Sequence, residues 1–310
     1  MKVKFLITAL FICCCLACEK KDPIKSTKEY YPLPDDNFFP EGIAYNSKTG
    51  DFYTGSTISG NIMKINVASG ASVLFSGGAK QGRSFCTGMK MDAKDRLWVC
   101  GGPTNIIQVL DVNGNLIKSW DTKTLFNSGF INDCVISDGY IYFTDSQMQA
   151  VYRASVSGAQ PGELQLWLTF TNQQIPYAAG TNANGIEATP DGKYLIVVIS
   201  NSGKLYRITI ANKNIAEIPI YRTLISGDGL LLDKNILYVS PNATNRIYPV
   251  TLTSTLSEGS VGHEFGFNLL GNTTLAKVGR DLLVVNGQLS RRGGTPPPVL
   301  PFKIVRVEIP

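Results

Sequence analysis

Residues 184–198, NGIEATPDGKYLIVV, decide the fold. An Asn-Gly pair opens a short alternating run, Pro190-Asp191-Gly192 supplies a tight turn, and an apolar run through Val197 and Val198 follows. Two short strands about a polar turn are the signature of a β-hairpin. Read alone, Asn184 is a turn residue with a glycine beside it. Its meaning changes once the same pattern is found elsewhere in the chain.

The pattern recurs as EGIAYNSKTGDFYTG (41–55), TGMKMDAKDRLWVCG (87–101), NDCVISDGYIYFTDS (132–146) and DGLLLDKNILYVSP (228–241), and in looser form as TTLAKVGRDLLVVNG (273–287). First positions are 46, 45, 52, 44 and about 45 residues apart, the unit length of four-stranded propeller blades. A third strand of one style follows five of the hairpins, in NIMKINV (61–67), NIIQVLDV (105–112), AVYRASV (150–156), KLYRITI (204–210) and RIYPVTL (246–252). Most are followed by an outer segment such as ASVLFSG (71–77) or LQLWLTF (164–170). The sixth hairpin runs instead into a Gly/Pro-rich loop, so its third strand is expected from FKIVRVEI (302–309) and its fourth from EYYPLP (29–34). The expected fold is all-β, a six-bladed β-propeller spanning residues 29–310 and closed by strands from both termini, which leaves no open sheet edge.

Composition bounds the partners. The chain has 310 residues, 44% of them hydrophobic, enough for one sizeable core. Residues 1–17 read as an export signal, with Lys2 and Lys4 ahead of an apolar run too short to span a bilayer. Cys15-Leu16-Ala17-Cys18 resembles a bacterial lipobox, with Cys where Leu is usual three positions before Cys18. The expectation is a lipidated Cys18, a polar Lys-rich tether over 18–28, and an exported protein anchored at the outer membrane, on its periplasmic or surface side, that touches the membrane only through its lipid. A plain secretory signal cut elsewhere among these small residues is the alternative. Without Lys2 and Lys4 the chain holds 27 basic against 24 acidic residues, with no basic stripe, so nucleic acid is not expected as a partner and the protein reads as a monomer. Beyond the leader only Cys86, Cys100 and Cys134 remain, an odd number better read as buried thiols than as a disulfide framework.

In a propeller the residue entering each innermost strand faces the axis near the tunnel mouth. Those residues are Glu41, Thr87, Asn132, Asn184, Asp228 and Thr273, and all six carry oxygen. Asn-Gly, Asp-Gly and Glu-Gly dipeptides are ordinary turn chemistry, yet a repeated turn does not require carboxylates or amides in four particular blades and Thr in the other two. Two carboxylates and two amide oxygens, with no thiolate or imidazole, make a hard-cation site. Calcium suits it best, with Mg2+, Mn2+ or Zn2+ as substitutes; zinc prefers His or Cys, and the chain has a single His.

Glu41 in PEGIAY, Asn132 in INDCVIS, Asn184 in NGIEATPDGK and Asp228 in GDGLLLD together resemble the four-ligand calcium site of the gluconolactonase and regucalcin (senescence marker protein) family, six-bladed propellers related to paraoxonase, diisopropylfluorophosphatase and strictosidine synthase. The resemblance spans about 280 residues, with the ligands in blades one, three, four and five. It implies a calcium-dependent hydrolase of lactone or ester bonds in which the ion polarises the carbonyl and Asp228 acts as general base. Sugar-lactone members carry an Arg two residues before the blade-three Asn; here that residue is Phe130, which points to a less polar substrate. Arg83, just ahead of blade two, is a candidate replacement, and Thr87, Phe130 and Thr273 are further candidate substrate contacts. Arg291 and Arg292 lie in the loop 288–301, read as solvated or as folding over one face. His263 is better read as a surface residue than as a base, and Asp145 as a turn or interblade hydrogen-bonding residue. The competing expectation is a non-catalytic binding or scaffold propeller in which calcium is structural.

Overall fold

The computed structural model describes residues 28–310. The expected export signal, the lipidation site Cys18 and all of the tether before residue 28 lie outside these residues. Among the described residues the regular structure is strand, apart from three single-turn 3-10 segments, and no helix is long and apolar enough to cross a membrane.

Twenty-four strands form six four-stranded antiparallel sheets. Blade one is β2 (Pro40–Asn46), β3 (Asp51–Ser56), β4 (Ile62–Asn66) and β5 (Ser72–Ser76). Blades two to five repeat this order: β6 (Met89–Met91), β7 (Leu97–Cys100), β8 (Ile106–Leu110) and β9 (Leu116–Asp121); β10 (Ile131–Ser137), β11 (Tyr140–Asp145), β12 (Ala150–Ser155) and β13 (Gln165–Thr169); β14 (Ala183–Ala188), β15 (Tyr194–Ile199), β16 (Lys204–Thr209) and β17 (Ile215–Ile218); and β18 (Gly227–Asp233), β19 (Ile236–Pro241), β20 (Tyr248–Leu252) and β21 (Gly259–Val261), the first of each four being the inner strand. Blade six is assembled from both ends of the chain. Its β22 (Asn272–Val278) and β23 (Asp281–Asn286) pair with the C-terminal β24 (Lys303–Glu308), which pairs in turn with β1 (Tyr30–Pro32). Since every pairing is antiparallel and β22 starts at the mouth, β1 starts on the opposite face and runs towards the mouth.

The core lies between blades. Each of the six seams holds one buried apolar cluster, as two-faced sheets require when packed face to face. At the closing seam Tyr31 packs edge-on against Phe52 at 5.1 Å and donates its hydroxyl to Val67 O at 2.8 Å, so the N-terminal strand of blade six is tied to blade one by apolar and polar contacts. A fully buried side chain of this size contributes roughly 1.5–3 kcal/mol. Cys86, Cys100 and Cys134 are buried and unpaired.

A β-bulge interrupts the inner strand of five blades, between Pro40 and Ile43, Ile131 and Cys134, Ala183 and Ile186, Gly227 and Leu230, and Asn272 and Leu275. Two residues there oppose one on the neighbouring strand, and a bulge of that kind re-aims a side chain. The first bulged residue is Glu41, Asn132, Asn184, Asp228 or Thr273. The second is Gly in blades one, four and five, and none of these glycines has φ in the left-handed region. They are therefore not turn glycines. A Cβ on Gly42 would lie 2.1 Å from Thr87 O, and one on Gly185 would lie 2.1 Å from Asp228 O. In blades one and four the bulge is thus pressed against the first-position carbonyl of the next blade.

Candidate metal centre

Glu41, Asn132, Asn184 and Asp228 are each no more than 4% exposed, and all line one cavity of about 210 Å³ at the mouth. Seven buried side-chain polar atoms lack a hydrogen-bond partner among the described residues, and four of them are Glu41 Oε2, Asn132 Oδ1, Asn184 Oδ1 and Asp228 Oδ1. Leaving one such atom unpaired costs on the order of 1–3 kcal/mol. Four in one cavity call for a shared partner rich in positive charge.

Neighbouring side chains set the orientation of these groups. Asn132 Nδ2 donates to Ser146 Oγ at 2.8 Å, and Ser146 Oγ donates to Ala183 O of the next blade at 2.6 Å. Asn184 Nδ2 donates to Ser200 Oγ at 3.2 Å, and Ser200 Oγ donates to Gly227 O. Each amide nitrogen is thus engaged by a serine, and each amide oxygen is left without a partner. In blade five Asn242 Nδ2 donates to Asp228 Oδ2 at 3.2 Å, and Oδ1 stays open. Ser146, Ser200 and Asn242 each directly follow the second strand of their blade, a ring of supporting residues that the sequence reading missed.

Charge crowding is severe. Burial, then the charges of Asp228 and Asp133, push the Glu41 carboxyl well above its usual range against the opposing pull of Arg292. Burial raises Asp228 to about 7, with the Asn242 amide opposing and Asp133 adding to the rise. Asp133 is itself raised by burial and lowered by Lys90. It occupies the second bulge position of blade three, where blades one, four and five, and the matching position of unbulged blade two, have Gly, and its Oδ1 accepts from Cys134 N at 2.8 Å. That departure from the repeat was the signal that would have found it. No cluster of three or more His, Cys, Asp or Glu poised for a metal occurs among the described residues. The candidate set is two carboxylates completed by two amides, and it fits a hard divalent cation.

The remaining expected residues divide. Thr87 and Phe130 line the cavity, although the Thr87 hydroxyl donates to Ile131 O at 2.8 Å. Thr273 is fully buried and donates to Glu41 O at 2.7 Å, so it supports the backbone under a ligand and is not among the cavity-lining residues. Arg83 does not reach the site either. It is 3% exposed, and its guanidinium donates to Gly60 O and Gln108 Oε1, both at 2.8 Å, stitching blade one to blade two. The arginine at the cavity is Arg292, from the loop that separates the two halves of blade six. His263 is exposed and absent from the cavity lining. Asp145 Oδ1 accepts from the backbone nitrogens of Phe130, Gln147 and Met148, all at 2.9 Å, and so fixes the approach to the mouth. Two wider cavities, of about 480 and 300 Å³, adjoin through Phe130, Thr181, Asn184 and Asn242.

Fold and site together define a six-bladed propeller with a ring of buried oxygen donors at its axis. No protein-family model matches the chain, and no curated protein matches it in sequence. Among solved structures it is similar to the calcium-binding protein regucalcin of Agrobacterium tumefaciens, at 13% identity and TM-score 0.66 over 91% of this chain and 95% of that one. It is similar also to a gluconolactonase of Xanthomonas campestris, at 16% identity and TM-score 0.65 over 90% and 88%. A catalytically inactive His→Ala virginiamycin B lyase of Staphylococcus aureus matches at 17% identity and TM-score 0.60 over 91% and 98%. At these identities the likeness establishes the propeller fold.

Proposed function

We propose that the protein is an exported, lipid-tethered hydrolase of lactone or ester bonds that uses a divalent cation, calcium by preference, at the tunnel mouth. The observation that carries this reading is the set of four buried, unpartnered oxygens on Glu41, Asn132, Asn184 and Asp228. The solved gluconolactonase and regucalcin folds support it, and the lipobox-like run ahead of Cys18 supports the tether. The lyase likeness carries less weight, because the one histidine of this chain lies exposed and away from the cavity.

Glu41 and Asp228 supply two negative charges for the ion, and the two asparagines supply neutral oxygens held by Ser146 and Ser200. When bound, the cation supplies Lewis-acid polarisation of the substrate carbonyl. Asp228 takes the proton of the attacking water at its carboxylate, oriented by Asn242. Phe85, Phe130 and Leu289 around the cavity displace bulk water from the reacting bond.

The test is hydrolysis of a panel of lactones and aryl esters by chelator-stripped protein, with Ca, Mg, Mn and Zn restored in turn. Cation-dependent turnover is expected. Cation binding that raises the melting temperature with no turnover of any panel member would instead make the protein a binding propeller with a structural ion.

A further inference from the structure

The cavity has a second half that the hydrolytic groups do not use. The same cavity is lined by Phe85 and Phe130, ring centroids 6.3 Å apart and nearly perpendicular, with the Arg292 guanidinium 5.1 Å from the Phe85 centroid. Leu289 joins them. Among the described residues the Arg292 side chain has no hydrogen bond or ion pair, so its contacts are the aromatic face and the field of Glu41. Its five N–H donors remain available.

This arginine does not sit on a loose loop. Gln288, 2% exposed, donates through Nε2 to Val299 O at 2.9 Å and accepts from Val299 N at 2.8 Å, which closes the loop on itself. Arg291 donates to Pro297 O at 2.8 Å within that closed loop. Phe130 is held by its backbone bond to Asp145. The clamped loop fixes the backbone that carries the exposed Arg292, and the Phe85 ring lies beside its guanidinium, so the charge is kept at the cavity.

Resting on the proposed hydrolase reading, we infer that the substrate is a compact lactone or ester with an aromatic or otherwise apolar body bearing one anionic group, and that Arg292 holds that group while Phe85 and Phe130 hold the body. The charge count agrees. Among the charged residues that line the cavity, a divalent cation neutralises Glu41 and Asp228 and leaves Arg292 as one positive charge. Hydroxyls placed against Phe85, Phe130 and Leu289 would give up water without finding a partner, which disfavours a densely hydroxylated ring.

Direct binding separates this inference from catalysis. Benzenesulfonate offers an aromatic ring and a weakly calcium-binding anion; benzenesulfonamide keeps the ring without the charge; isethionate keeps the charge without the ring. Calorimetric or NMR titration of the calcium-loaded protein is expected to show benzenesulfonate binding at least about tenfold tighter than either control, the scale of one charge-assisted contact. Arg292→Gln removes that preference over the sulfonamide, Arg292→Lys retains part of it, and Phe130→Ala removes the preference over isethionate. Equal affinity for the three probes, no binding of benzenesulfonate, or an unchanged Arg292→Gln variant overturns the inference. The two readings fail separately: turnover of neutral lactones without this probe selectivity overturns the substrate class alone, whereas this selectivity without hydrolysis of any lactone or ester overturns the hydrolase alone.

Discussion

The amide nitrogen of Asn132 donates to Ser146 Oγ at 2.8 Å, and that contact decides which end of the amide faces the axis. Without it the NH2 group could turn inward and present donors to a cation. Ser146→Ala, and Ser200→Ala by the same logic at Asn184, are expected to weaken calcium binding about 10- to 100-fold, as loss of a partner that orients a metal ligand commonly does. Calorimetric titration of calcium into chelator-stripped variants checks this. Catalysis at saturating calcium should be recovered in both.

Asp228 and Glu41 are both buried carboxylates on the same ring, and they should respond differently to neutralisation. Asp228→Asn keeps an oxygen and the contact region of Asn242, so it is expected to retain weakened calcium binding while losing at least about 100-fold in kcat at saturating ion, the scale of a lost general base. Glu41→Gln is expected to raise KM for the ion more than it lowers kcat. Full activity in Asp228→Asn would remove Asp228 from the role of base.

Proton linkage gives a third expectation. The Asp228 carboxyl, raised to about 7 chiefly by burial, holds a proton in the folded, metal-free protein at pH values where the unfolded chain has released it. Between the ordinary aspartate range and pH 7 the native state therefore binds more protons than the unfolded state, and stability falls as pH rises. Glu41, raised in the same direction, adds to the trend. Thermal melts in chelator should show the melting temperature falling from pH 5 to pH 8, with calcium removing much of the slope. A melting temperature that climbs over this interval in chelator would show that these carboxyls are not raised.

Gly185 tests the packing of the ring itself. A Cβ there would sit 2.1 Å from Asp228 O, against backbone that has no side-chain freedom to yield. Gly185→Ala is expected to destabilise the protein by about 1–3 kcal/mol, as overpacking does, and to weaken cation binding because the strand it displaces carries Asp228. Gly293→Ala, where no atom lies within 4 Å of the added carbon, is the control. Paired denaturant melts and calcium titrations of the two variants decide the point.

Most of the architecture could be read from the chain because each blade repeats one hydrophobic alternation, and the closure of blade six followed from a hairpin lacking its third and fourth strands. The candidate ligands were legible for the same reason: register against the repeat isolates Glu41, Asn132, Asn184 and Asp228. What stayed hidden depends on geometry across blades. The glycine after Glu41 or Asn184 reads as a turn residue until the adjacent carbonyl is located. From sequence Arg83 is the candidate and Arg292 lies in a loop read as solvated or as folding over one face, and only the path of each loop shows the first stitched into a seam and the second at the cavity. Ser146, Ser200 and Asn242 sit at one repeat position, but their role follows from hydrogen bonds that no spacing encodes.

The direction of β1 fixes how the molecule can be held. Its first residues emerge on the face remote from the mouth, next to the turn at Gly70, where the Lys28 side chain packs. A short leash attached ahead of residue 28 therefore pulls on the back of the ring. An attachment ahead of residue 28, whether a lipid or a tag, joins the ring on the face opposite the cavity and leaves the mouth clear of the point of attachment.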